Sequence, residues 1–521
     1  MGGSGSDLTV ESTAAAGDTV THPGEGNVHH PGSFDGDPGT VTTTQDPDTE
    51  DAVEGTRTSG ATYERVVVAV LCIVGIQLGL RPLSDNSFFT HLATGRLILE
   101  QGSVPKVDPY SFTAHGDPWT VQSWLASVIY ASLERLGGLT AVRLLVAVLT
   151  VALVLLVWRL TAPGKSLPVR LCLVAAVVVV GTTYWSERPL MFGLLGLALV
   201  ILAAEDGFHP AWLVPVMWVW VNTHGSFPFA PGILVLLAVG RRLDGESPRV
   251  ELRALAWCVT GIVAASLNPL GPKLLVFPLG LMKRREAFTA VVEWQAPGWD
   301  RPSQWIFAVL AVVGLLAVLV RRRSWRSILP IVVFAVAAAT SMRNLPQASI
   351  VIAAAAAPAL SGFGRVEAQD RRAINRPAAM AFLVIAVLFA VMGLAGPDTK
   401  LDAYPTSSAT WLERSGHLGP DSRILASDVV GNYLEVRFGP DDVRVFLDDR
   451  VDMYPMSVID SYRLLRDEER EDEFGATLDR IDPTAVIWQA DSPFGRWLQA
   501  GRTGWRVVHE DDGWLVALPD G

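Results

Sequence analysis

The chain is dominated by long apolar runs, and this feature limits the folds open to it more than any other. Half of its 521 residues are hydrophobic, and the mean hydropathy is +0.32. Charged residues, Pro or Gly bound eleven such runs, several of them close to the length of helix that crosses a bilayer. We therefore predict a mostly α-helical, multi-pass membrane protein with about eleven spans. The predicted spans are residues 64–82, 139–158, 169–185, 189–204, 211–222, 227–240, 253–267, 304–320, 327–341, 346–361 and 377–396.

The charged residues divide the chain into three parts. Residues 1–62 hold 11 acidic and one basic side chain, residues 63–396 have a net charge of +11, and residues 397–521 hold 25 acidic and 13 basic side chains. The first part is rich in Gly, Ser, Thr, Pro and Asp and has no apolar periodicity, so it is predicted to be a disordered acidic tail. The second part is the predicted transmembrane domain. The third is predicted to be a small soluble α/β domain.

Lys and Arg cluster in four connections, and short basic loops stay in the cytoplasm. This rule places the N-terminus in the cytoplasm and the C-terminal domain outside it, provided that residues 121–136 form an amphipathic helix in the membrane interface. Residues 88–99 are predicted to form a second interfacial helix. If residues 121–136 cross the membrane instead, the later loops change sides. Because the basic residues are spread over separate loops, no nucleic-acid partner is predicted. The four basic connections include Arg159, Arg241, Arg321 and Arg371.

The connections without basic clusters fall on the predicted outer face, and they contain most of the unusual polar residues. Ionisable groups at a membrane boundary are costly and usually functional. Asp85, in the first external loop, is the candidate catalytic base. Six further residues of the outer connections are candidates for substrate binding. They are His91, Glu187, Arg188, His224, Glu293 and Arg343.

Several of these candidates have a purely structural alternative. Asp85 has the position and chemistry of a helix N-cap. Glu187 and Arg188 are adjacent in sequence and could form a structural ion pair with each other. His91 could be a hydrogen-bonding residue at the interface, and His224 could cap the end of a helix. Arg188 and Arg343 are harder to explain structurally, because they lie on the outer face against the usual charge bias. Since Arg is the preferred bidentate partner of phosphate, a phosphate-bearing lipid substrate would explain both.

The first external loop carries the motifs that link this chain to a known superfamily. They are DNSFFTHLATGR at residues 85–96, GSVP at residues 102–105 and DPYSFT at residues 108–113, and they are followed by Asn222-Thr223-His224-Gly225, Asn268-Pro269 and Glu293-Trp294. With the multi-span architecture, these motifs resemble the GT-C superfamily of integral-membrane glycosyltransferases. Within it, the chain is similar to bacterial proteins of the dolichyl-phosphate-mannose or family 39-like type.

This resemblance implies the transfer of a sugar from a polyprenyl-phosphate donor to an envelope acceptor on the extracytoplasmic face of the cell membrane. It also implies that an acidic residue of the first external loop is the catalytic base or lies beside a metal, and Asp85 occupies that position. The loop has no Asp-x-Asp motif, so no metal ligand is assigned and a divalent cation remains an open alternative. Two other functions remain open, a transporter or flippase for a lipid-linked or polar substrate and a noncatalytic envelope-assembly protein.

The C-terminal part is predicted to alternate short apolar strands with helices and to end in a hairpin of residues 505–509 and 514–518. Its secondary candidate site is Asp448, Asp449 and Arg450, which follow a predicted strand. An acid-rich solvated turn is the favoured interpretation of these three residues. The functional alternatives are recognition of the acceptor and binding of a divalent cation.

Overall fold

The computed structural model describes residues 61–284, 286–321, 323–363, 373–374, 376–467, 470–501 and 504–520. The predicted acidic tail lies outside the described residues except for Ala61 and Thr62, and the predicted basic connection at Arg371 also lies mostly outside them. Ala61–Thr62 (β1) pairs antiparallel with Ala373–Ile374 (β2).

Most of the described residues between 63 and 395 are helical, as predicted. Each of the eleven predicted spans coincides with a helix. Two helical segments, Trp124–Gly164 and Pro302–Arg321, are long and apolar enough by themselves to cross a membrane, and the full number of spans stays a prediction. The helices are Tyr63–Gly79 (α1), Asn86–Gln101 (α2), Trp124–Leu160 (α3), Leu167–Gly181 (α4), Leu190–Ala204 (α5), Leu213–Thr223 (α6), Phe229–Leu243 (α7), Arg249–Ala264 (α8), Lys273–Lys283 (α9), Pro302–Arg321 (α10), Trp325–Thr340 (α11), Leu345–Leu360 (α12) and Arg376–Ala395 (α13).

Helix α3 consists of two helices joined at a kink. Gly137 and Gly138 have non-helical backbone angles, and Gly138 has a φ of 67°, a conformation that glycine adopts without steric cost. The kink falls where the sequence predicts the end of the amphipathic segment 121–136 and the beginning of an apolar span. The first half of α3 packs against α2, and the second half packs against α1.

The C-terminal part is built on a five-stranded mixed sheet. The strands are Arg423–Leu425 (β3), Arg444–Val445 (β4), Ala485–Gln489 (β5), Trp505–Asp511 (β6) and Trp514–Pro519 (β7), and the helices are Thr406–Arg414 (α14), Asp428–Phe438 (α15), Met456–Asp467 (α16), Glu471–Ile481 (α17) and Pro493–Gln499 (α18). The strand order is β4-β3-β5-β7-β6. Strand β3 runs parallel to β4 and β5, whereas β7 runs antiparallel to β5 and β6 and forms the predicted hairpin with β6.

The first external loop and the C-terminal sheet fold together. The Phe112 N–H donates to the Val445 carbonyl at 3.0 Å, and the Val445 N–H donates to the Tyr110 carbonyl at 3.1 Å, so the loop extends the sheet beside β4. Phe88 and Phe89 of α2 belong to the same buried apolar cluster as residues of β3, β5 and β7. Burial of this shared apolar surface fixes α2 against the C-terminal part.

A buried arginine joins the ends of three helices on the same side of the molecule. Arg143 of α3 is fully buried and donates to the carbonyl of Leu80, at the end of α1, and to that of Gly393 in α13. It also pairs with Asp398 at 2.9 Å. The Leu83 N–H donates to the Asp398 carbonyl at 2.8 Å, so the first loop and the entry to the C-terminal part begin side by side.

Replacing Arg143 by Leu is expected to lower the free energy of unfolding by about 3 kcal/mol, because it removes the charged partner of Asp398 and the donor to the carbonyls of Leu80 and Gly393. Arg135 is the matched control, since it lies on the other half of α3, is half exposed and forms a single long ion pair with the described residues, to Glu100 at 3.8 Å. Arg135→Leu is expected to change stability by less than about 0.5 kcal/mol. Equilibrium unfolding of the detergent-solubilised proteins measures the free energy of unfolding of each variant. An equal loss of stability in Arg143→Leu and Arg135→Leu would contradict the assigned role of Arg143.

Candidate functional site

Asp85 lies at the N-terminus of α2 and is held there by three hydrogen bonds. One carboxylate oxygen accepts the Ser87 N–H at 3.1 Å, which makes Asp85 the N-cap of the helix. The other oxygen accepts the Ser186 hydroxyl at 3.2 Å and the Arg188 Nε–H. The capping alternative is therefore correct, but capping does not occupy every acceptor site of the Asp85 carboxylate. A carboxylate has about four lone-pair sites, so three bonds leave one for a ligand.

Arg188 joins two external connections that are far apart in sequence. Its Nε donates to Asp85 in the first loop, and its Nη1 donates to Glu293 in the connection between α9 and α10. Burial disfavours the charged guanidinium, but Asp85 and Glu293 outweigh burial and raise the pKa of Arg188 above its ordinary value. Arg188 is therefore a cation that bridges two carboxylates.

Glu187 does not pair with Arg188, so the ion pair considered as a structural alternative is wrong. Its Oε1 accepts the N–H groups of Ser84 and Asp85 at 2.5 and 2.6 Å, and the side chain is buried. Burial, and after it the negative charge of Asp85, raises the pKa of Glu187 above its ordinary value. Glu187 thus fixes the backbone that presents Asp85, because it satisfies two N–H groups just before α2.

Arg343 lies in the short 3-10 helix Met342–Asn344, between α11 and α12. Its guanidinium stacks over the ring of Trp294 at 4.7 Å from the centroid. The Met342 N–H donates to the Gln295 carbonyl at 2.9 Å, so the loop that holds Glu293 and the loop that holds Arg343 are joined. Arg343 makes no hydrogen bond or ion pair with any of the described residues. Burial, followed by the charge of Arg188, lowers its pKa, while Glu293 opposes this shift.

The two predicted histidines lie near the two arginines and are neutral at neutral pH. Burial and the charge of Arg188 lower the pKa of His91 to about 4. Burial, and then the charges of Arg343, His91 and Arg188, lower the pKa of His224 to about 3. Nδ1 of His91 is 3.2 Å from the Ser127 hydroxyl. His224 ends α6 as its C-cap, which confirms the capping alternative, and its Nδ1 is 2.7 Å from the Ser226 hydroxyl.

Asp449, in the C-terminal part, is linked to Asp85 through one serine. The Ser87 hydroxyl donates to Asp449 Oδ2, while the Ser87 N–H donates to Asp85. Burial and the charge of Asp448 raise the pKa of Asp449 to about 7, against the effect of the Ser87 hydrogen bond. The secondary candidate site is therefore a neighbour of the primary one.

The interpretation of Asp448, Asp449 and Arg450 as an acid-rich solvated turn is wrong. Asp448 is fully buried and Arg450 is 7% exposed. Arg450 pairs with Asp448 and, at 2.8 Å, with Asp108 of the first external loop. Its guanidinium also lies 4.4 Å from the ring centroid of Trp119. Burial of the Arg450 charge is possible here because Asp108 of the first loop and the neighbouring Asp448 both pair with it.

The structure thus brings the seven predicted primary residues to one end of the helical part, and it adds residues that were not site candidates from the sequence. Ser87 and Ser186 bind the carboxylates of the site, and Trp294 holds Arg343. Asp108, Ser87 and Trp294 belong to the motifs that carry the family resemblance, so the motifs were a signal for them, whereas Ser186 lies outside those motifs.

Within the described residues, no group of three or more His, Cys, Asp or Glu side chains is arranged to hold a metal ion. The nearest carboxylates are committed to other partners. Asp85 and Glu293 hold Arg188, and Glu187 holds backbone N–H groups.

Comparison with known proteins gives a fold rather than a close relative. No protein-family model matches the sequence, and no curated protein matches it. The structure is similar to the oligosaccharyltransferase of Archaeoglobus fulgidus tethered to an acceptor peptide containing the NVT sequon, with a TM-score of 0.52 and 13% identity over 82% of this chain and 69% of that chain. The oligosaccharyltransferase AglB of the same organism, in complex with an inhibitory peptide and a dolichol-phosphate, matches with a TM-score of 0.51 and 12% identity over 82% of this chain and 70% of that chain.

These similarities show that the chain shares the fold of the archaeal oligosaccharyltransferase, and at the level of the fold they agree with the resemblance drawn from the first external loop. At 12–13% identity the sequence is a divergent example of that fold.

Asp449→Asn tests the electrostatics of the site through the pH dependence of stability. The Asp449 carboxyl binds its proton below about pH 7 in the folded protein and below about pH 4 in an unfolded chain. Between these values the folded state holds more protons, so this carboxyl makes the wild type lose stability as the pH rises. The difference in Tm, variant minus wild type, is therefore expected to rise from about pH 4 to pH 7 and then to level off. The exposed Asp441→Asn control is expected to show no such rise, and a flat difference for Asp449→Asn would contradict the assignment.

Proposed function

We propose that the protein transfers a sugar from a polyprenyl-phosphate donor to a cell-envelope acceptor on the extracytoplasmic face of the membrane. The observation that carries this proposal is that Arg343 is a recessed cation without an ion-pair partner among the described residues. Its guanidinium is recessed against Trp294 and forms no ion pair or hydrogen bond with the described residues, so the carboxylates of Glu293 and Asp452 act on it only from a distance. A recessed cation without a partner is costly, so a site of this kind is completed by an anion.

A phosphate suits the vacant donors of the site. Arg188 uses Nε and Nη1 for its two carboxylates, and its Nη2 has no hydrogen-bond partner among the described residues. Arg343 keeps all of its donors. Both guanidinium groups therefore offer N–H donors, and Arg is the side chain that best matches the oxygens of a phosphate. The neutral histidines nearby supply hydrogen bonds without adding charge.

The exposed apolar surface of the helical part supports a membrane location. Helices α10 and α13 expose large aliphatic side chains along most of their length, a surface that is unstable in water and stable in lipid. We therefore retain the eleven-span arrangement, with the N-terminus in the cytoplasm and the C-terminal part outside, as a proposal. The exposed side chains include Val309, Val312, Val313, Leu316, Val320, Leu383, Val384, Val387, Leu388, Val391 and Met392.

Asp85 is the proposed proton acceptor. The acceptor hydroxyl attacks the anomeric carbon, its proton passes to the carboxylate, and the bond between that carbon and the phosphate oxygen breaks with its electron pair on the phosphate. The charge that grows on the leaving polyprenyl phosphate falls beside Arg188 and Arg343, where fixed cations stabilise it. Glu187 and Glu293 act by holding the Asp85 backbone and the Arg188 side chain.

The similar structures agree with this choice of substrates. One of the two oligosaccharyltransferase structures contains a dolichol-phosphate, and the other has a tethered acceptor peptide. In this chain the C-terminal part reaches the site through Asp449, so we propose that the envelope acceptor enters between the C-terminal part and the first external loop. The membrane lipid around the helices is the other proposed partner.

Asp85→Asn is expected to lower sugar transfer by about 100-fold or more, because it removes the proton acceptor but keeps a side chain that caps helices well. Transfer of radiolabelled sugar from a set of polyprenyl-phosphate donors to envelope extract, by the purified protein in lipid nanodiscs, measures the effect. Asp117→Asn is the matched control, since Asp117 is an exposed residue of the same loop. Undiminished transfer by Asp85→Asn would refute its role. Transport of the lipid substrate across the bilayer without any sugar transfer would favour the transporter instead.

Arg343→Gln is expected to reduce kcat/KM for the donor by about 100-fold, because one charged partner of the leaving phosphate is lost. Arg135→Gln, outside the site, is expected to have no effect. Inhibition by sugar-free polyprenyl phosphate gives an independent reading, and its inhibition constant is expected to rise in Arg343→Gln alone. The same constant in both variants would contradict a phosphate site at Arg343.

A further inference from the structure

The space between Asp85 and Glu293 is filled by a protein cation. These two carboxylates come from connections about 200 residues apart in sequence, and the guanidinium of Arg188 contacts both of them. The exposed fractions of the side chains are 11% for Asp85, 25% for Arg188 and 39% for Glu293, so the bridge lies at the edge of the site that a substrate would reach.

A divalent cation is the cofactor that the GT-C resemblance leaves open, and the residues present do not fit one. Such an ion needs several oxygen ligands directed to one point. Here the two carboxylates that face each other are directed to Arg188, and Glu187 is directed to backbone N–H groups. Arg343 also lies near Glu293 and repels an added cation, just as it lowers the pKa of His224.

We infer that Arg188 is the resident cation of the site, bridging Asp85 and Glu293 in the place of a divalent metal ion, and that sugar transfer needs no added metal. The part of this inference that concerns transfer rests on the proposed function. The part that concerns metal binding does not.

The chemistry is balanced without a metal. The acceptor oxygen bonds to the anomeric carbon, its proton goes to Asp85, and the phosphate leaves with the electron pair of the broken bond. The leaving phosphate gains one negative charge, and the free Nη2 of Arg188 donates to it together with Arg343. Because Arg188 is held by Asp85 and Glu293 before substrate binds, its position costs no reorganisation during the reaction.

The test combines metal binding with transfer. Mn²⁺ is titrated into the purified protein in nanodiscs, and the EPR signal of free Mn²⁺ reports binding. We expect the wild type and Glu293→Gln to bind Mn²⁺ equally, because neither offers the site to an ion. Arg188→Ala frees both carboxylates and is expected to bind additional Mn²⁺, which the double variant Arg188→Ala/Glu293→Gln loses. Transfer by the wild type is expected to survive dialysis against EDTA, and added guanidinium ion is expected to restore part of the activity that Arg188→Ala loses.

Mn²⁺ bound by the wild type but lost in Glu293→Gln would overturn the inference, and so would transfer that EDTA abolishes and Mn²⁺ restores. If Arg188→Ala does not fold, the comparison of the wild type with Glu293→Gln decides the question alone. Absence of transfer under every condition would count against the proposed function, whereas the Mn²⁺ titration would still decide whether Arg188 excludes a metal.

Discussion

The buried guanidinium of Arg450 holds the first external loop against the C-terminal part, and the geometry of the candidate site depends on this contact. Arg450 pairs with Asp448 beside it and with Asp108 across the interface, and it lies over Trp119. Removing a buried charge from such partners leaves the others uncompensated, so this contact couples the stability of the first external loop to that of the C-terminal part. The same interface places Asp449 against the N-terminus of α2.

Two arginines of the site differ in how their charges are balanced, and this difference gives them different roles. Arg188 has two carboxylate partners, which fix its position and keep it charged. Arg343 lies against the face of Trp294 and has no carboxylate within ion-pair distance in the part of the chain that the structure describes. A balanced cation shapes a site before the substrate arrives, whereas an unbalanced one gains most from an anionic substrate. The proposal that Arg343 recognises a phosphate beside a preorganised Arg188 rests on this contrast.

The sequence predicted the helices well, because long apolar runs bounded by charge, Pro or Gly leave few alternatives. The kink in α3 was also predictable, since the Gly137-Gly138 pair separates an amphipathic segment from an apolar one. The side-chain contacts within the candidate site could not be predicted in this way. From the sequence, an ion pair between Arg188 and its neighbour Glu187 was an open alternative to substrate binding, but the backbone turns the two side chains to different partners. Asp448 and Arg450 looked solvated because their partner Asp108 is remote in sequence, and burial of a charge depends on such partners rather than on local composition.

A structure of the protein in a lipid bilayer with bound polyprenyl phosphate would test the central claim most directly. The account predicts that the phosphate contacts the guanidinium groups of both Arg188 and Arg343, with the Asp85 carboxylate beside it and the Arg188 bridge to Glu293 intact. A phosphate bound away from Arg343, or a bound lipid that displaces Arg188 from Asp85, would contradict it.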